Sequence, residues 1–390
     1  MAPEDATALP AFARAYNMPC STCHSYITRR SEFGDVFRRQ GYHWPGLSTA
    51  DYTLRDPSPV AMEGTSPMTT QLPIKIPIAI AARFSASATN DEAATEEVAL
   101  ASPAFSFLFG NALSEHVSVF GTWAGQGAPN ELFLHFAKIA DRPELNFRVG
   151  RFEQWTTLFK NNERLFAPFQ LGTSNISGHT VGQGRVGVEM NGTVLRRGFY
   201  ALGTVQNKAP GSAMDKYAHL GLKIGGMDFL GKEPALDLDS ESPLDNMVLT
   251  FGSWAYSGEV STVDGSPTDD IRRVGADVKY HWNLLSIWGG AMFGFDRDKN
   301  LRATNRSVTA FSEISYSFTP WLSTGYMFEA QSQSAKDVPN GSKVFSNTSD
   351  RHHLGAVFLL LENVRGRLTG VYTPDAVKNE RIDLQLLAAF

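Results

Sequence analysis

From about residue 75 to its end the chain alternates in steps of two, and that pattern limits what it can fold into. In "DIRRVGADVKYHW", Ile271, Val274, Ala276, Val278 and Tyr280 oppose Arg273, Gly275, Asp277 and Lys279. In "WLSTGYMFEA", Leu322, Thr324, Tyr326, Phe328 and Ala330 oppose Ser323, Gly325, Met327 and Glu329. In "LNFRVGRF", Leu145, Phe147 and Val149 oppose Asn146, Arg148 and Gly150. Successive side chains of a strand point to opposite faces, so each segment offers one apolar face and one polar, glycine-rich face. A membrane helix is excluded. The uncharged apolar runs 98–114 and 280–295 are shorter than about 18 residues and are interrupted by Pro103 and Gly110 or by Gly289 and Gly290.

Alternation suits a soluble sandwich as well as a membrane barrel, so the number and length of segments decide. Sixteen segments of about 9 to 13 residues stand near 75–86, 99–109, 116–126, 131–140, 144–153, 183–191, 196–206, 216–227, 246–257, 270–282, 284–296, 306–318, 321–331, 350–360, 363–373 and 381–390. With the N-terminus periplasmic, the short connections at 141–143, 191–195, 281–283, 319–320 and 361–363 fall on the periplasmic side. Long polar connections around 154–182, 258–269 and 332–349 fall on the other, as in outer-membrane barrels. The exception is 228–245, long and on the periplasmic side, which a miscounted strand would explain. The chain closes on "RIDLQLLAAF", with Ile382, Leu384, Leu386, Ala388 and Phe390 on one face, similar to the terminal aromatic strand of bacterial outer-membrane barrels. Charged residues are 19%, below the roughly 25% of soluble proteins. A net charge of -5 leaves no basic footprint for nucleic acid. Met1 is followed by "APEDATALP" without an apolar run, so the expectation is a mature exported chain.

The only two cysteines lie in "NMPCSTCHSY", three positions apart, with His24 directly after the second. A tetrahedral zinc site needs two further ligands at comparable spacing, and there is no further cysteine. A thioredoxin-like pair would open a helix inside a βαβ unit, whereas these flanks read as an extended stretch and then one short polar helix, 29–40. Haem fits. In Cys-x-x-Cys-His the two thiols form thioethers with the haem vinyl groups and the adjacent imidazole reaches the iron. The reading is one covalently bound haem c on Cys20 and Cys23, with His24 as proximal iron ligand.

A haem segment joined to a barrel resembles a known family. The stretch "AFARAYNMPCSTCHSYITRRSEFGDVFRRQGYHWPG" is similar to the N-terminus of the fused monohaem cytochrome c-porins, the outer-membrane cytochromes c of iron-oxidising bacteria. Cys20, Cys23, His24, Phe33, Gly34, Gly41 and Tyr42 carry the likeness, which covers about residues 11 to 45, with "IPIAIAARFSASATN" matching at the first strand. Ala81 stands where that family often has Met. The resemblance implies electron transfer across the outer membrane, from extracellular Fe(II) or another donor to a periplasmic carrier such as a soluble cytochrome c. If the chain counts as an enzyme, it does so as an Fe(II) oxidase; no catalytic side chain is assigned.

The expected fold is therefore an all-β membrane protein: a barrel of about sixteen strands over 76–390, preceded by a short, mostly helical or irregular c-type haem segment and linker over 1–75. About 45 residues are too few to wrap a haem in a core of their own, so the segment is expected to plug the barrel. The distal iron ligand would come from His43, Met62 or Met68; Met18 is too near Cys20 to cross the haem. "GQGRVG" at 182–187 imitates a dinucleotide fingerprint but opens an alternating segment with no helix after it. The acidic residues Asp91, Glu92, Glu96 and Glu97, with Asp264, Asp269 and Asp270, are expected in extracellular loops. Two other functions remain open: a haem-plugged solute porin, and a peroxidase-like haem enzyme.

Overall fold

The computed structural model describes residues 12, 20–26, 29–44, 78–91, 94–125, 127–158, 179–182, 184–207, 213–233, 247–261, 267–298, 304–336, 346–361, 363–374 and 379–389. The N-terminal part holds α1 (Cys20–Cys23), β1 (His24–Tyr26), β2 (Arg29–Arg30) and α2 (Glu32–Arg39). The expected helix at 29–40 thus begins later. Ser31 has an extended backbone and caps α2, which leaves Arg29 and Arg30 free to pair with the strand after the cysteines.

Sixteen antiparallel strands follow and close into one barrel. Each lies over one of the segments marked by alternation. The first two are β3 (Ile78–Asp91) and β4 (Ala94–Ala112). A low wall follows: β5 (Val117–Trp123), β6 (Glu131–Phe136), β7 (Asn146–Phe152), β8 (Arg185–Val194) and β9 (Gly198–Val205). The remaining wall is taller: β10 (Asp215–Gly225), β11 (Met247–Ser261), β12 (Pro267–Trp282), β13 (Leu285–Asp298), β14 (Thr304–Thr319), β15 (Leu322–Lys336), β16 (Ser346–Leu361), β17 (Val364–Thr373) and β18 (Asn379–Ala389). Every neighbouring pair is consecutive in sequence, and β18 closes on β3. The closed order has no strand missing near 228–245; of that connection the structure describes 228–233, where Asp228 and Phe229 are buried.

The distribution of side chains decides between sandwich and membrane barrel. Leu134, Val188, Leu222, Phe251, Val274, Phe293, Ile314 and Leu384 are exposed on the outside, whereas Arg148, Glu189, Asp215, Arg273, Asp277 and Lys279 are buried inside. Apolar outside and polar inside is the reverse of a soluble core and matches a wall that faces lipid. One assignment of faces changes: Ile271 is fully buried and shares the inward face with Arg273. Its odd position follows the period of two, which outweighs its hydrophobicity. Ile382, Leu384 and Leu386 face outward as expected, while Phe390 lies outside the described residues.

At the end opposite Ile78 and Ala389 the strands run further than expected. β11 reaches Ser261 and β12 starts at Pro267, so Asp269 and Asp270 belong to a strand and not to a loop. Likewise Asp91 ends β3, and Glu96 and Glu97 lie within β4, leaving only residues 92–93 between. Paired neighbours extend the alternating ladder through these polar stretches, which hydrophobicity alone does not mark. Glu92 and Asp264, and the side chains of Asp91, Glu96 and Glu97, lie outside the described residues.

Candidate functional site

The described residues of the N-terminal segment, 12, 20–26 and 29–44, pack inside the barrel. α1 is a single turn, which sets positions 20 and 23 on one side of it. Cys23 is partly buried and, like Phe33 and Trp44, packs against the large aromatic cluster that plug and barrel share. α2 crosses this turn at contact distance. Ser31 caps α2 by accepting from the Gly34 N–H at 3.1 Å and donates its hydroxyl to the Thr22 carbonyl at 2.7 Å. The Ser31 N–H donates to the Cys23 carbonyl at 2.9 Å. One serine thus ties the start of α2 to the cysteine turn.

The other end of α2 is a Schellman turn. The Gly41 N–H donates to Arg38 O at 3.1 Å and the Tyr42 N–H to Phe37 O at 2.8 Å, with Gly41 at φ 70°. Tyr42 also has positive φ, 62°, a costly position for a side-chain-bearing residue. Stacking holds it there: its ring lies between Phe12, 4.9 Å away, and Phe120 of β5, 5.0 Å away. Phe133 and Phe152 continue this aromatic series along the low wall. Each such ring contributes about 1.5–3 kcal/mol when withdrawn from water, so the plug is docked chiefly by apolar burial.

Ion pairs fix its rotation. Glu32 accepts from Lys223 Nζ of β10 at 3.0 Å and from the Met227 N–H at 2.8 Å. Asp35 accepts from Lys279 Nζ of β12 at 2.5 Å and from Arg30 Nε at 2.8 Å. Burial alone would raise the Asp35 carboxyl; Lys279, Arg30 and Arg39 outweigh it and hold the group well below the usual carboxylate range. Farther along α2, Arg39 lies 3.8 Å over the Phe199 ring and Arg38 lies 4.9 Å over Trp155. Burial, with repulsion from Arg30 and Arg148, pushes the Arg38 guanidinium down to about 9; burial, with Arg30, pushes Arg39 down to about 10.

Trp155 belongs to the residues that follow β7, 153–158, of which Gln154, Trp155, Thr156 and Leu158 are buried. Leu158 donates its N–H to Asp277 of β12 at 2.9 Å. Where the connection returns, His179 Nε2 lies 3.0 Å from Asp215, which also accepts from Arg185 and from Tyr256 at 2.6 Å. Two small spaces beside α2, of about 10 Å³ and 20 Å³, leave room for one water at most in each.

His24 follows α1 directly and pairs with Arg30. His43 is buried, with Nε2 2.7 Å from the Ser114 carbonyl and Nδ1 3.2 Å from that of Gln40. To reach an iron it would have to leave Ser114. Met62 and Met68 lie outside the described residues, as does the side chain of Cys20. Ala81 is buried on the inner face beside Leu108 and Ala389. Among the described residues no group of three His, Cys, Asp or Glu side chains is placed to hold a metal ion. Ser31, Lys223, Lys279 and Trp155 were not legible as parts of the site. The only hint was a pair of acidic residues opening the helix, with inward-facing lysines on distant strands to meet them.

No protein-family model matches the chain, and no curated protein matches it in sequence. Solved structures do match in fold. A loop-deletion mutant of OmpT, an outer-membrane protein of Vibrio cholerae, superposes with a TM-score of 0.55 at 10% identity, covering 80% of this chain and 99% of that one. An anion-selective porin from Comamonas acidovorans gives 0.55 at 10% identity, with 80% and 98% covered. OmpF of Salmonella typhi, in complex with daunomycin, gives 0.53 at 10% identity, with 80% and 97% covered. The fold is that of an integral outer-membrane, porin-type barrel.

Proposed function

We propose that this porin-type barrel is an outer-membrane electron-transfer cytochrome. It would carry one covalent haem c on Cys20 and Cys23, with His24 on the iron, and pass electrons from an extracellular donor to a periplasmic carrier such as a soluble cytochrome c. The supporting observation is the position of the Cys-x-x-Cys-His turn: it is tied to a helix that is itself docked inside a closed barrel. Fe(II) is the first donor to consider because of the resemblance of residues 11–45 to the iron-oxidising cytochromes.

The surroundings suit haem c. Positions 20 and 23 share one side of a helical turn, as two thioethers to one porphyrin require. Cys23, Phe33 and Trp44 pack against the shared aromatic cluster and offer apolar surroundings, and the cationic side chains of Arg38 and Arg39 on α2 would suit the two propionates. When bound, haem c supplies one-electron redox chemistry and no more. The chain's part is positional: Ser31 holds the cysteine turn, the aromatic cluster excludes water, and Glu32 and Asp35 fix the plug to the wall. His43, Met62 and Met68 remain the proposed distal ligands.

A haem-plugged solute porin shares the fold of the similar structures. The test is an optical spectrum of outer-membrane fractions before and after Fe(II) is added, with a Cys20→Ala, Cys23→Ala variant alongside. The expected result is a c-type spectrum that Fe(II) reduces, and no haem-staining band for the variant on a denaturing gel. Covalent haem in the variant would remove the assignment, and solute flux through liposome-reconstituted protein would return the porin reading.

A further inference from the structure

On the outer face, one row runs across the neighbouring strands β10 to β14: Lys216, Ser257, Arg272, Phe295 and Arg306 stand side by side. All of them are exposed, while Tyr217, Arg273 and Ser307, next to them along the chain, are buried on the lumen side. The basic side chains recur on every second strand, about 9.6 Å apart. Among the described residues, none makes a hydrogen bond or ion pair with the side chains of Lys216, Arg272 or Arg306.

The rows on either side differ in chemistry. The next row toward Ile78 and Ala389 is apolar: Ala218, Ala255, Val274, Phe293 and Val308. The next row toward the opposite rim holds Glu259, Asp270, Arg297 and Thr304. Taken together, the two polar rows carry the cations Lys216, Arg272, Arg306 and Arg297 against the carboxylates Glu259 and Asp270, an excess of positive charge.

The height of the basic row places it at a membrane border. Near the other end of the same strands the outward row is Met247, Trp282, Leu285 and Tyr316, without charge, and no outward position of β10 to β14 between the two rows is charged. On β13 the chain runs from Leu285 to Phe295 between these rows, about 33 Å along the strand and about 25 Å along the axis of a barrel whose strands tilt by about 40°. That is the height of the apolar band of an outer-membrane barrel. The basic row lies on the side of the long connections between β7 and β8 and between β15 and β16, which in such barrels is the outside of the cell. Cations above an apolar wall are complementary to a phosphorylated lipid, since Lys and Arg bind phosphate oxygens strongly. The outward leaflet of an outer membrane supplies that lipid as lipopolysaccharide.

We propose that this face of β10 to β14 is a binding site for lipopolysaccharide, with the phosphates of its lipid A held by Lys216, Arg272 and Arg306 and its acyl chains against Ala218, Val274 and Phe293. The two lipid A phosphates stand at opposite ends of a disaccharide, which suits cations two strands apart. The site is independent of any haem.

The experiment is native mass spectrometry of the full-length protein, released from detergent with equal concentrations of bisphosphorylated lipid A, its dephosphorylated form and phosphatidylglycerol, and then with excess inorganic phosphate. The protein should retain bisphosphorylated lipid A in preference to the other two lipids, and inorganic phosphate should not displace it. Arg272→Gln and Arg306→Gln should each retain it about fivefold less, the effect of one surface cation on an anionic lipid. Arg142→Gln, at an exposed arginine beyond the other end of the wall, should retain it fully. Equal retention by all three variants, retention of dephosphorylated lipid A or phosphatidylglycerol as firmly as the bisphosphorylated form, or displacement by inorganic phosphate would overturn the proposal.

Discussion

Gly34 of α2 sits so close to Cys23 that a Cβ at residue 34 would overlap the Cys23 carbonyl oxygen. The helix can lie on the cysteine turn only because that atom is missing. Gly34→Ala should therefore push α1 away from α2 while leaving the barrel closed, since the clash lies wholly within the plug. The expected outcome is a several-fold loss of haem-stained protein with an unchanged shift between boiled and unboiled samples on a gel. Full haem loading in Gly34→Ala would show that attachment does not depend on this contact.

A second prediction concerns acid. The Asp35 carboxyl is held below the usual range in the folded protein, so its contribution to stability is complete above about pH 4, the ordinary carboxylate pKa, and falls away as pH drops further. Asp35→Asn removes that contribution at neutral pH and leaves Lys279 without its carboxylate, at a cost of about 3 kcal/mol. Limited proteolysis of the plug should then differ between the two proteins at pH 7 and converge in strong acid. Identical digestion at pH 7 would place the plug's anchorage elsewhere.

Gly41 gives a third. Its φ of 70° suits glycine, and a Cβ there would stand 3.1 Å from that of Ala137 and 3.2 Å from His135 Nδ1. Gly41→Ala is therefore both strained and crowded. It should cost about 1–2 kcal/mol and loosen Tyr42 from between Phe12 and Phe120, seen as faster digestion of the segment after α2. No change in digestion would mean that the turn is not what seats Tyr42.

The barrel was legible because closure requires the same physics at every strand: Val274, Tyr326 and Leu384 must face lipid while Arg273, Met327 and Leu387 face inward, so a period of two persists. Strand ends were less legible. Glu96, Glu97, Asp269 and Asp270 are polar residues within paired ladders, and pairing is not visible in hydrophobicity. The Cys-x-x-Cys-His pattern was visible because Cys20, Cys23 and His24 stand together in sequence, and the haem it suggests remains the proposal. What surrounds it was not: Lys223 lies 191 residues from Glu32 and Lys279 lies 244 from Asp35, and only the closed topology brings them together. His135 and His219, both fully buried on inward faces, carry no mark in the sequence that separates them from surface histidines.

The central claim is that electrons, and not solutes, pass this barrel by way of its plug. It is tested most directly by adding Fe(II), chelated so that it cannot enter, to intact cells that make the protein or its His24→Ala variant, and following the haem spectrum. The account predicts prompt reduction in intact cells and none in the variant, with no further reduction when the cells are then lysed. Haem that stays oxidised in intact cells under excess Fe(II) and is reduced only after lysis would contradict it.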